Sequence, residues 1–255
     1  MQNPRSRSVP SPYEIPTMKN TKGFVLCEFN SPIDHKPCVA ILTLKSSNRK
    51  TGNMCQVWIL RRDIKPTKAI QSGDDYSVCG NCIHRKNNVT KKRSCYVNAG
   101  QSPNTIWKAY NRKIYPDALD NIETVQKYLK GRSIRWGAYG DPALIPFSIF
   151  ETFNDMAVFH TGYTHQWREK FARIYKHYFQ ASCDGLNDYL DATAHGWHTF
   201  AVLPVGVKDN TYGKQCPATV DNSMTQCITC KSCDGAKQNI FVEAHGSGKK
   251  HVQLV

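Results

Sequence analysis

The chain has 255 residues, enough for one large domain or one domain with a small appendage, and its 40% hydrophobic content can supply a packed core. No apolar run approaches the ~18 residues of a membrane helix, and the N-terminal MQNPRSRSVPSPYEIP carries no apolar signal region, so no membrane association is expected and the expected location is the cytoplasm. Lys and Arg outnumber Asp and Glu 34 to 20, and a formal net charge of +14 favours polyanions such as nucleic acid or anionic cofactors.

In chain order, residues 1–22 are rich in Pro, Ser and Arg and read as a flexible arm. A β-rich N-terminal region follows over 23–75, in which GFVLCEF, CVAILTL and CQVWILRR are β-branched and aromatic runs separated by turn formers. From about 100 the pattern changes. Helices are predicted over 101–112 and 117–130, the second ended by Gly131, then a strand in SIRWGAYGDP and a helical stretch in ALIPFSIFETFNDM. The strand AVFHTGYT comes next. HQWREKFARIYKHYFQ (165–180) has helical apolar spacing at Trp167, Phe171, Ile174, Tyr175 and Tyr178. The strand ASC, a helix over 185–195 and the strands HTFAVLPVG and NIFVEAHG complete the folded part, and 247–255 reads as a loose tail. Strands alternating with helices at this spacing predict an α/β domain with a mostly parallel sheet, open or curled into a partial barrel, interrupted by a cysteine-rich insert before the last strand.

In such folds chemistry gathers where strands end. Those ends carry Asp141, Tyr163, His165, Asp184 and His245, of which Asp141, Tyr163, His165 and His245 are the candidate catalytic residues. Asp141 and Asp184 could equally cap the elements that follow them, Asp141 all the more because Pro142 comes next.

Eleven cysteines cannot all pair in disulfides, and clustered cysteines in a reducing compartment point to metal. Cys27, Cys38, Cys55 and Cys183 fall in or beside predicted strands and read as small buried hydrophobes. Two constellations remain. Cys216, Cys227, Cys230 and Cys233 offer four thiolates, and the tight C-x2-C-x2-C run suits a [4Fe–4S] cluster better than Zn2+, the alternative. Cys79, Cys82 and Cys95 offer three. Either His84 or another residue completes a zinc site, or a cluster keeps one iron open for a ligand such as S-adenosylmethionine; the two groups could also share one site. The loop between Cys82 and Cys95 holds Arg85, Lys86, Lys91, Lys92 and Arg93, which could favour thiolates or grip nucleic-acid phosphates. No Walker loop, Rossmann fingerprint, G-x-S-x-G elbow or H-E-x-x-H motif occurs.

The set CGNC…CYVN, RWGAYGDP, GYTHQW, FAVLP and CPA…TQCITCKSC resembles bacteriophage proteins of the gene-product-88-like family, which look like shortened relatives of radical S-adenosylmethionine enzymes. The resemblance covers residues 76–246. It implies a partial (β/α) barrel in a phage- or mobile-element-encoded protein of the host cytoplasm. It also implies one or two [4Fe–4S] clusters, with Cys79, Cys82 and Cys95 near the position of the S-adenosylmethionine-binding cluster. Their C-x2-C-x12-C spacing differs from the usual C-x3-C-x2-C. The competing expectation is a zinc-stabilised, non-catalytic protein that binds nucleic acid through the basic loop.

Overall fold

The computed structural model describes residues 21–253 apart from residue 221. The arm expected over 1–22 therefore lies, as far as residue 20, outside the described residues, as do the last two residues of the tail.

Strands β1 (Gly23–Asn30), β2 (Pro37–Thr43) and β3 (Cys55–Arg61) form at the three β-branched runs and pair antiparallel, with Val25 opposite Ile41 and Ile41 opposite Trp58. Nearly all of β2 is buried, as a central strand covered on both faces must be. Two short helices then appear that the sequence reading lacks, α1 (Pro66–Ser72), opened by its proline, and the single turn α2 (Tyr76–Cys79). Next come α3 (Ser102–Asn111) and α4 (Ile122–Leu129). The second starts later than predicted because Asp117 builds a turn. Its Oδ1 accepts from the N–H groups of Leu119 and Asp120 (2.8 and 3.2 Å), and the Ala118 N–H donates to Val25 O on β1 (2.8 Å).

Strand β4 (Ser133–Tyr139) lies parallel to β3. Helix α5 (Phe147–Asn154) begins only after Pro146, and β5 (Phe159–Thr161) lies parallel to β4. A single residue, Gly162, separates β5 from β6 (Tyr163–Thr164). A Cβ at Gly162 would sit 2.4 Å from the Phe179 ring, so glycine is what lets the chain pass from one sheet to the next here. The elements β7 (Gln180–Cys183), α6 (Leu186–Ala194), β8 (Thr199–Leu203), β9 (Lys214–Gln215), α7 (Cys227–Cys230) and β10 (Ile240–Glu243) follow. The result is an α/β arrangement of two five-stranded sheets, β1-β2-β3-β4-β5 and β6-β7-β8-β10-β9, the second parallel throughout.

Two expectations are corrected. The helix over 165–180 is absent; a 3-10 stretch, Lys170–Tyr175, stands among turns. Its apolar side chains serve two different cores, which one helix face cannot do. Trp167 packs against the second sheet and donates to Ser182 O (3.0 Å), whereas Tyr175 and Phe179 enter the main core, and Ile174 is exposed. The loose tail is also overturned within the described residues: Lys249–His251 forms a 3-10 turn and Val252 is buried.

The main core joins the first sheet to α4 and α5 through Phe24, Leu26, Ile41, Trp136, Phe150, Phe153 and Tyr175. Trp136 is fully buried and donates to Asn154 Oδ1 (3.1 Å). Trp136→Ala is therefore expected to cost about 3–5 kcal/mol, measured as a fall in the urea midpoint. Along the second sheet the period of two separates the faces. Ala181, Cys183, Ala201, Leu203 and Phe241 pack with Trp167, Ala192, Trp197 and Tyr212, while Tyr163, Ser182, Phe200, Val202 and Val242 face a cavity. No helix among the described residues is long and apolar enough to cross a membrane.

Candidate metal centre

All eleven cysteines are free thiols. Cys38, Cys55 and Cys183 are buried and Cys27 partly so. Burial pushes the thiols of Cys27 and Cys38 up to about 12, which keeps them protonated and inert.

The first cysteine group lies against the end of β4. Cys79 closes α2, whose Val78 O accepts from the Asp141 N–H (2.7 Å), and the Cys95 N–H donates to His84 O (3.0 Å). Asp141 is the buried tie at this junction. Its Oδ1 accepts from the Ala143 N–H (3.0 Å); its Oδ2 accepts from the His165 N–H (2.8 Å) and Gln166 Nε2 (3.3 Å). Gln166 Nε2 also donates to Cys79 O (3.2 Å). Asp141 thus caps the turn after β4, as its sequence context allows, and at the same time positions His165 and Cys79. Burial pushes its carboxyl pKa up, against the pull of His165. Burial likewise raises the thiols of Cys79 and Cys95, and the charge of Cys82 adds to both; Arg85 and Arg93 oppose these rises.

The second group gathers where β9 and β10 meet the β2–β3 loop. The Cys216 N–H donates to Phe241 O on β10 (2.8 Å), and the Cys227 N–H donates to Lys50 O (2.8 Å). Cys227 and Cys230 open and close α7, which stops at Lys231 in the left-handed region (φ 56°). Burial raises Cys216, Cys227 and Cys233. Each of these three feels the charge of Cys230, and Cys233 feels Cys216 and Cys227 as well. Arg135 opposes the rise at Cys227, and the neighbouring Tyr163 hydroxyl opposes it at Cys233.

Both groups open on one cavity of about 210 Å³, lined by Cys79, Cys82, Cys95, Cys216 and Cys227 together with Lys50, Arg135, Tyr163, His165, His245 and Val252. Arg135 is 8% exposed and has no carboxylate at ion-pair distance among the described residues; it donates to Tyr96 Oη and lies over that ring. Tyr163 packs on Phe200, with ring centroids 4.0 Å apart, and burial raises its phenol far above the usual range. His245 packs on the Tyr96 ring (5.1 Å), and burial, helped by Lys50, lowers its pKa. All four candidate catalytic residues, Asp141, Tyr163, His165 and His245, therefore line the same cavity.

No family model, curated protein or solved structure matches the chain.

The basic loop is divided in its roles. Arg85 donates to the buried Asp75 (2.7 Å) and to Gly73 O (2.7 Å); Arg93 donates to Cys95 O and Val97 O (3.2 and 2.9 Å); Lys86 reaches Gln71 O (3.3 Å). Only the side chains of Lys91 and Lys92 stand exposed and without a partner among the described residues, so the five cations do not form one free patch. Arg85→Ala would leave the Asp75 charge buried and alone, and is expected to cost about 3 kcal/mol in a denaturant titration. Two participants stood outside the sequence reading: Arg135, inside a strand, and Lys50, in a loop. Neither carries a motif, and only the folded chain brings them to the cavity.

Proposed function

We propose that this chain is an iron–sulfur redox protein in which Cys79, Cys82 and Cys95 hold one [4Fe–4S] cluster with an iron left open, and Cys216, Cys227, Cys230 and Cys233 hold a second. The observation that carries the reading is the opening of both thiol groups on a single cavity. The donor chemistry fits. Seven free thiols lie in two sets whose members feel one another's charge, with Arg85, Arg93 and Arg135 placed to stabilise the ionised form. Spacing favours clusters over zinc. The short C-x2-C-x2-C run of Cys227, Cys230 and Cys233 suits a chain wrapped around several irons better than a single ion.

The parallel pairing within each sheet, with residues of β4 to β8 and β10 lining the cavity, supports reading residues 76–246 as a partial β/α barrel similar to radical S-adenosylmethionine enzymes; the same reading makes the chain a phage- or mobile-element-encoded protein of the host cytoplasm. A cluster held by Cys79, Cys82 and Cys95 would supply one-electron chemistry, such as reductive cleavage of S-adenosylmethionine bound in the cavity. Arg135 and Lys50 supply cationic anchors for a ligand's anionic group in the cavity. Phe200, Val202 and Val242 give it an apolar wall that limits water.

The test is anaerobic. Cluster-loaded protein with reductant and S-adenosylmethionine is expected to release 5′-deoxyadenosine, quantified by chromatography. An intact cluster giving no product would exclude this chemistry and leave electron transfer.

A further inference from the structure

Beside the first cysteine group three other side chains converge. His84 comes from the loop after Cys82, His165 from the residue after β6, and Asp184 from the residue after β7. His84 Nε2 lies 3.1 Å from Asp184 Oδ1, and His165 Nε2 lies 3.4 Å from Asp184 Oδ2. Among the described residues this is the only trio of His, Cys, Asp or Glu ligand atoms within 4.8 Å of one another. The side chains are 11%, 19% and 6% exposed.

A buried carboxylate shared by two imidazoles would be an ordinary ion-pair cluster if the N–H groups pointed at its oxygens. They do not. His84 Nε2, His165 Nε2 and Asp184 Oδ1 are all buried, and none makes a hydrogen bond, although the atoms are close enough. Three buried polar atoms that face one another without bonding are expensive unless something sits between them. Their surroundings hold them in place. His84 Nδ1 is 2.8 Å from Ser94 Oγ, the kind of outer contact that fixes a ligating imidazole by its other nitrogen. The His165 backbone is tied to Asp141, and the Asp184 N–H donates to Asp188 Oδ2 (3.1 Å).

We propose that His84, His165 and Asp184 form a mononuclear site for a divalent first-row transition ion. Two imidazoles and one carboxylate suit Zn2+ or Fe2+ and leave positions free for water or substrate. The site goes beyond the iron–sulfur reading and does not depend on it. Because His165 lies against Cys82 and lines the cavity, an ion there would stand next to the first cysteine group and face the same substrate space.

The probe is Zn2+ alone. Full-length protein is purified anaerobically with its iron and sulfide, treated with EDTA, and dialysed against zinc. About one zinc per chain is expected, with iron and sulfide unchanged and an X-ray absorption first shell of nitrogen and oxygen at ~2.0–2.1 Å. His84→Gln and Asp184→Asn should each abolish the uptake, and Ser94→Ala should weaken it about tenfold. No bound zinc, a sulfur shell near ~2.3 Å, or uptake unchanged in folded variants would overturn the proposal. The absorption spectrum of the unaltered protein decides the matter even if a variant misfolds. The two readings fail separately. Nitrogen- and oxygen-ligated zinc in a protein without iron or sulfide would keep this site and remove the clusters; an iron–sulfur protein that takes up no zinc would do the reverse.

Discussion

A Cys233→Ser protein is expected to lose about half of its iron and sulfide, whereas Cys183→Ala should lose none. Both thiols are buried and both have pKa values raised by burial, so exposure and acidity do not separate them. Position does. Cys183 points to the apolar side of the second sheet, among Trp167, Ala201 and Leu203. Cys233 is within the electrostatic reach of Cys216, Cys227 and Cys230. Removing one of four thiolates opens a complete ligand shell, and the loop from Cys227 to Cys233 loses the ion that would order it. The coupling of metal to folding adds a loss of stability, apparent values for structural metal sites being on the order of 10 kcal/mol. Iron and sulfide analysis of both variants, made and purified in parallel, checks this. Equal iron contents would show that the second group does not bind a cluster.

The second large effect is expected at Gly80, between Cys79 and Cys82. Its backbone has φ 52° and ψ −128°, a conformation that side-chain-bearing residues avoid. A Cβ there would lie 2.4 Å from Gln166 Oε1 and 2.5 Å from Gln166 Nε2. Gln166 cannot simply swing away, because its amide holds both Cys79 O and Asp141 Oδ2. Gly80→Ala should therefore cost about 3 kcal/mol and release the iron of the first group, leaving that of the second. Gly131→Ala is the control. It too has positive φ (73°), but nothing lies within 4 Å of its added Cβ, so about 1 kcal/mol and no iron should be lost. Denaturant midpoints together with iron content distinguish the two.

The contrast between legible and hidden features follows from range. The β-branched runs of β1, β2 and β3 announce strands because their neighbours along the chain decide the pattern. The segment 165–180 misleads because its helical spacing is real but its aromatic residues are claimed by two cores, a tertiary fact. The place of β10 between β8 and β9 is likewise invisible locally, since two residues of β9 carry no period. At the site, spacing along the chain divides seven cysteines into two candidate groups. That both groups face one cavity is not readable from spacing. In the sequence His84 stands as a candidate partner for Cys79, Cys82 and Cys95, and His165 and Asp184 as residues at two separate strand ends. Only the parallel order of β6 and β7 sets the last two side by side, and only the loop after Cys82 brings in the first.

Two sets of thiolates are expected to carry iron and sulfide. The most direct measurement is the iron, acid-labile sulfide and zinc content of the chain purified without exposure to oxygen. About eight irons and eight sulfides per chain, in a brown protein whose colour bleaches on reduction, is the expected result. A colourless protein with zinc on its cysteines and no sulfide would contradict it.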